Sequence, residues 1–145
     1  MVRTILGEAA DQGNVGMAAV ALVIRNRAED VRFPDNVADV SLQPRQFSAW
    51  NADGSGNALV AKYNPGEAAY ERAAYVADLV MAGLVPDFTE GATHYYSPAG
   101  MNHLVESGYQ KNLIPSWLAR ETEARDAPPI RIGGHIFTGS VRIDR

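Results

Sequence analysis

The chain has no cysteine, which excludes a disulfide framework and any zinc site built on thiolates. It also lacks a basic block. Its 13 lysines and arginines are outnumbered by 17 acidic residues, for a net charge of −4, so the footprint of a nucleic-acid binder is missing. Long apolar runs are absent as well. The longest, "VGMAAVALVI" at 15–24, is too short to cross a bilayer, which argues against stable membrane insertion. The apolar stretch inside "MVRTILGEAADQG" is too short for the core of a signal peptide. Synthesis in the cytoplasm is therefore expected, and work beyond the membrane would need a separate delivery route. Histidine is scarce: His94, His103 and His135 are the only three. None pairs with another at the spacing of H-E-x-x-H or H-x-x-x-H, so a zinc site would have to be assembled from distant parts of the chain. No P-loop, dinucleotide fingerprint or G-x-S-x-G elbow occurs. The Gly54-Ser55-Gly56 triplet sits in "NADGSGN", which reads as a surface loop.

What is present suits one domain spanning 1–145. A chain of 145 residues with 46% hydrophobic content buries a real core without staples, and it carries no internal repeat or low-complexity linker. Residues 2–9 read as a short first helix, broken by 11–14. Asn14 is a candidate cap for a second helix that is apolar almost all round from Val15 to Ile24, the pattern of a centrally buried helix. A further helix is expected over 65–82, with Asn64 as cap, Pro65 at its first position and Glu67 completing a capping box. Its Ala69, Ala73, Val76, Ala77 and Val80 share one face, and Gly83 is its stop. Residues 41–50 read as extended or hairpin-like around Pro44, and 92–98 opens either a helix or a loop. Another helix is expected to start near Ser116, and 128–139 reads as a hairpin about Gly133-Gly134. The sum is an α+β domain, mostly helical with a small β-hairpin region.

One acidic residue stands out. In "TILGEAADQGNVG", Glu8 follows a glycine near the end of the first helix. It has two readings: a solvated helix-end carboxylate, as most glutamates are, or a general acid. A helix C-terminus disfavours negative charge and so favours the protonated form that a proton donor needs. The aromatic residues are informative in a different way. Phe47, Trp50, Tyr95, Tyr96 and Trp117 lie in polar, turn-rich surroundings, with Gln46, Ser48, Thr93 and His94 interleaved. Singly each can be satellite core packing; together they have the composition of a groove wall for sugars. Asn26 and Arg27 read as anchors of the central helix, and His135 as a brace for the hairpin.

Several segments taken in order resemble the SleB-type cell-wall hydrolases, the spore cortex-lytic enzyme family. "GEAADQGNVGMAAVALVIRNR" carries Glu8-Ala9, Gly16 and Asn26-Arg27. "RFPDNVADVSLQPRQFSAW" carries Phe33-Pro34, Val37, Val40, Gln43-Pro44 and Gln46-Phe47-Ser48. "GATHYYSP" carries Ala92, Tyr95, Tyr96 and Pro98. Pro115, Trp117, Gly134, His135 and Phe137 follow. The resemblance runs from about residue 4 to 138.

It implies a lysozyme-like fold related to the lytic transglycosylases, with peptidoglycan glycan strands as substrate. It also implies Glu8 as the catalytic acid, and neither metal nor cofactor. Gln46, Ser48, Thr93, Tyr95 and Tyr96 would then bind the sugars, with Tyr95 or Tyr96 beside Glu8. Asp11 and Asp53 are the candidates for a second acid only through nearness in sequence to the matched segments. There are departures from the family. Gln12 replaces a glutamate common there, and 99–128 looks longer, as a lid or groove extension would. A separate wall-binding region has no room. These features favour a phage-like endolysin, released through a holin or carried by a particle, and a monomer. The alternatives are a hydrolytic muramidase, a zinc-dependent amidase and a non-catalytic wall-binding module.

Overall fold

The run at 15–24 forms the centre of the molecule. In the computed structural model, which describes residues 1–44, 46–50, 57–108, 111–123 and 127–145 (without the side chains of 48, 57–59, 122 and 123), it lies inside helix α2, Gly13–Glu29. Val20, Ala21, Leu22, Val23 and Ile24 are all fully enclosed, because α2 is surrounded by α1 (Val2–Ala9), α3 (Val37–Leu42) and α5 (Ala68–Met81). Each of its larger side chains contributes about 1.5–3 kcal/mol by leaving water. The N-cap of α2 is Gln12 rather than Asn14. Gly13 takes a left-handed φ of 69°, which lets the chain double back from α1 two residues earlier than the capping pattern predicts.

Residues 41–50 are not extended. Asn36 accepts a hydrogen bond from the Asp39 N–H at 2.8 Å and so starts α3, which takes up 41–42; a 3₁₀ turn, Ser48–Trp50, follows. The "NADGSGN" loop falls outside the described residues except for Asn57, which opens α4 (Asn57–Lys62). The Asn64–Glu67 pair exists, with Asn64 Nδ2 donating to Glu67 Oε1 at 3.2 Å, but it closes a separate turn. Gly66 at φ 90° interrupts it, and α5 begins at Ala68. The expected face of α5 is otherwise the buried one: Ala73, Val76, Ala77 and Val80. Gly83 at φ 73° stops it.

Residues 92–98 hold a strand. β1 (His94–Tyr96) pairs with β3 (His135–Thr138), and β3 pairs with β2 (Ile130–Ile132), all antiparallel in the order β1-β3-β2. β2 and β3 are the hairpin expected about Gly133-Gly134. Helix α6, Pro98–Glu106, starts from a Ser97 cap whose Oγ accepts from the Gly100 N–H at 3.0 Å. Helix α7 is Leu118–Glu123. Among the described residues no helix is long and apolar enough to cross a membrane.

Candidate active site

Glu8 stands one residue from the end of α1 and is half-buried. Its Oε1 accepts the Ala49 backbone N–H at 2.8 Å, and its Oε2 accepts the Tyr95 hydroxyl at 2.7 Å. The two donors come from different parts of the fold, the 3₁₀ turn and strand β1. Gly7 allows the first contact. A Cβ there would come within 2.4 Å of the Ala49 Cβ, so only glycine lets the turn lie this close to α1.

Tyr95 owes its position to strand alternation. Its ring packs on Phe137, directly across the ladder, at 5.3 Å, and on His135 at 5.1 Å. Burial, then the charge of Glu8 and the hydrogen bond to it, hold the Tyr95 hydroxyl well above its usual pKa, so it remains a donor. His135 is 7% exposed, and its buried Nδ1 has no hydrogen-bond partner among the described residues. Burial lowers its pKa against the opposing charges of Glu8 and Asp11, so the ring beside Tyr95 is neutral. The hairpin that carries it is tied to the start of α2 by Gln12, whose Oε1 accepts the Gly134 N–H at 2.7 Å.

Tyr96 points the other way, as the next residue of a strand must. It meets Trp117 at 6.2 Å, as does His94 at 4.9 Å. It therefore lies on the sheet face opposite Glu8, so of the two tyrosines expected beside Glu8 it is Tyr95 that the structure puts there. Trp117 belongs to this outer aromatic cluster. Thr93 is also displaced from its expected role as a sugar ligand. It is 1% exposed, and its hydroxyl donates to the Ser140 carbonyl at 2.9 Å, so it braces the sheet from inside. Gln46 is exposed, with its Oε1 accepting from Arg27 Nη1 at 3.1 Å. Ser48 opens the 3₁₀ turn, but the role expected of its hydroxyl lies outside the described side chains.

Arg27 is an anchor, as read. It is 3% exposed, donates from Nε to the Thr93 carbonyl at 2.6 Å, and lies 5.2 Å from both the Phe33 and Phe47 rings. Burial lowers its pKa to about 10, partly offset by Tyr95, Glu121 and Glu8, so it stays charged. Asn26, fully buried, holds the loop between α5 and β1 by donating to Asp87 at 2.9 Å and to the Ala92 carbonyl at 3.1 Å. Sequence reasoning missed the Ala49 N–H and the bond that Trp50 Nε1 donates to the Thr4 hydroxyl at 2.8 Å. The first is a backbone group and has no sequence signal except Gly7 beside Glu8. Among the described residues no three His, Cys, Asp or Glu side chains are grouped to hold a metal ion. Asp11 is exposed, and Asp53 lies outside the described residues.

A mostly helical, lysozyme-like domain with a small antiparallel sheet, in which the half-buried Glu8 carboxylate is held by both a helical-side turn and the sheet, defines the class. Within that class the chain belongs to the cell wall hydrolase family, whose sequence model matches residues 11–138. It is 39% identical over 137 residues to a spore cortex-lytic enzyme of Halalkalibacterium halodurans, covering 94% of this chain and 33% of that one. A 49-residue stretch is 44% identical to the spore cortex-lytic enzyme of Oceanobacillus iheyensis, covering 34% of this chain and 18% of the relative. The chain thus spans about a third or less of the curated relatives it matches. Among solved structures it resembles the catalytic domain of the germination-specific lytic transglycosylase SleB from Bacillus anthracis (28% identity, TM-score 0.58, covering 95% of this chain and 89% of that one). It also resembles the catalytic domain of Bacillus cereus SleB (27% identity, TM-score 0.59, covering 95% and 85%).

Proposed function

We propose that the chain is a peptidoglycan glycosidase that cuts the β-1,4 bond between MurNAc and GlcNAc as a lytic transglycosylase. Glu8 is its general acid and then its base. The observation that carries this reading is the Glu8 carboxyl held at Oε1 by Ala49 and at Oε2 by Tyr95, in a chain of the cell wall hydrolase family. In the first step the protonated Glu8 gives its proton to the glycosidic oxygen. The C1–O bond breaks with its electron pair on the leaving oxygen, and positive charge develops at C1. The Ala49 N–H and the Tyr95 O–H then meet a full carboxylate, to which they bond more strongly than to the acid. In the second step the carboxylate takes the proton of the muramic 6-hydroxyl as that oxygen bonds to C1. The product is a 1,6-anhydro sugar, and Glu8 regains its proton.

This route needs one carboxyl. An inverting or retaining hydrolase needs a second, and the described residues offer only the exposed Asp11 near Glu8 in sequence. The likeness to a germination-specific lytic transglycosylase favours the same route. In this reading Gln46 and Ser48 contribute to the glycan groove. The enzyme works as a monomer on wall peptidoglycan, delivered through a holin or by a phage-like particle.

The test is digestion of purified peptidoglycan by the parent and by Glu8→Gln, with mass spectrometry of the soluble products. Anhydro-muropeptides from the parent and none from Glu8→Gln are expected. Reducing-end products mean hydrolysis by the same acid. Free stem peptides, or activity that survives in Glu8→Gln, overturn the reading and return attention to an amidase.

A further inference from the structure

We propose that Trp50 is a sugar-stacking platform, one ring along the glycan from the bond that Glu8 cleaves, which rests on the glycosidase reading above. Trp50 ends the 3₁₀ turn and keeps 36% of its surface exposed. An aromatic side chain so open is usually loose, but this one is not. Its only polar atom, Nε1, donates to the Thr4 hydroxyl at 2.8 Å, and Thr4 itself is fully buried. The ring is therefore locked before any ligand arrives, and binding on it loses little side-chain entropy.

The lock sets a distance as well as an orientation. Thr4 and Glu8 are four residues apart on α1, so they share one face of the helix and are separated by about 6 Å along its axis. That is close to the advance of one pyranose in a β-1,4-linked chain. The turn that donates the Ala49 N–H to Glu8 Oε1 thus also presents the next residue's indole to the next sugar. Two hydrogen bonds from one short turn to one helix fix the platform and the acid relative to each other. The ligand chemistry follows from the surface. A flat apolar indole face fits the C–H face of an equatorially linked pyranose, while its N–H is already occupied and reads no hydroxyl.

The experiment measures binding of soluble, uncrosslinked GlcNAc–MurNAc oligosaccharides to the full chain carrying Glu8→Gln, by calorimetry, with thermal melts to verify folding. Adding Trp50→Ala is expected to raise the Kd about tenfold, consistent with the loss of one stacked ring. Trp50→Phe should lie between the two. Thr4→Val, which frees the indole and keeps its shape, should weaken binding a few-fold. In the active enzyme Trp50→Ala should raise KM and leave kcat within about twofold, the split of a binding contact made equally in ground and transition states. Unchanged Kd and KM in folded Trp50→Ala and Trp50→Phe overturn the platform while muropeptide release by the parent leaves the glycosidase reading intact. If the parent releases no muropeptides and Glu8→Gln binds no oligosaccharide, both fall.

Discussion

The Ala49 N–H and the Tyr95 hydroxyl both hold the Glu8 carboxyl, and each can be disturbed separately. Tyr95→Phe deletes only the hydroxyl that donates to Oε2 at 2.7 Å, while the ring can keep its packing on Phe137 and His135. A hydrogen bond to a charged group is worth about 1.5–3 kcal/mol. A loss of that size in the step that leaves Glu8 ionised lowers kcat about 10- to 150-fold. KM should move little, because the hydroxyl is directed at the acid. Steady-state kinetics on soluble glycan checks the split; a variant with raised KM and parental kcat would make Tyr95 a sugar ligand instead. The Ala49 N–H cannot be deleted, but it can be displaced. Gly7→Ala places a Cβ 2.4 Å from that of Ala49, a distance real atoms do not adopt, so the turn must move off α1. The expected cost is about 1–3 kcal/mol of stability, read as a lower Tm, together with a loss of activity larger than the stability loss explains. Gly7→Ala with parental Tm and kcat would show that the turn does not hold the acid.

Elements differ in how far the sequence reveals them. Helix α2 was legible because burial all round needs apolar residues all round, and Val20–Ile24 supply them. The β2–β3 hairpin was legible because Gly133, at φ 56°, meets a demand of its turn that few other residues satisfy. Glu8 drew attention by its place beside a glycine at a helix end, and the structure sets it between the Ala49 N–H and the Tyr95 hydroxyl. Strand β1 was not, because three residues carry no usable period and its pairing partner lies about forty residues on. Not seeing β1 is what left Tyr95 and Tyr96 equivalent and made Thr93 look like a sugar ligand. The Asn64–Glu67 pair misled for a different reason: it is a real local contact, but Gly66 ends its turn before α5 begins. Gln12 tests the joint between helix and hairpin. Gln12→Ala removes the acceptor of the Gly134 N–H and should cost about 1 kcal/mol, with faster amide exchange at Gly134. Gln12→Glu, which keeps an acceptor oxygen, should retain most of the protection. Equal exchange rates in all three proteins would mean that the hairpin stands without this tie.

At the scale of the whole molecule, the helical part supplies Glu8 and the sheet supplies its partner Tyr95, 87 residues apart, so the pair exists only while the two parts are held together. Much of that hold passes through groups whose titration opposes folding in acid. Thr93 donates its one proton to the Ser140 carbonyl, so the hydroxyl accepts from His94 Nδ1 at 3.0 Å, which places a proton on Nδ1. Burial, then Arg27, lower the His94 pKa to about 4. Burial lowers that of His135 as well. Burial pushes Glu121 upward, but the hydrogen bonds from Ser140 and the nearby His94 outweigh it, and its pKa is lowered. For Asp30 the bonds from Arg32 and Ile143 outweigh burial, and for Asp87 those from Thr89, Asn26 and Gly91 do, with the same result. Each of these five groups binds protons more readily unfolded than folded, so each contributes stability that is present at high pH and lost as pH falls. The histidines begin the loss just below their ordinary 6.5, and the carboxylates extend it below 4. Melts between pH 8 and pH 4 should therefore show Tm falling steadily below pH 6.5. His94→Phe keeps an aromatic ring against Trp117 and removes a group whose pKa burial lowers to about 4, so its Tm should be lower at pH 7, where the bond to Thr93 is missed, yet decline less between pH 6.5 and 4. A parallel decline in parent and variant would mean that His94 does not govern the acid limb.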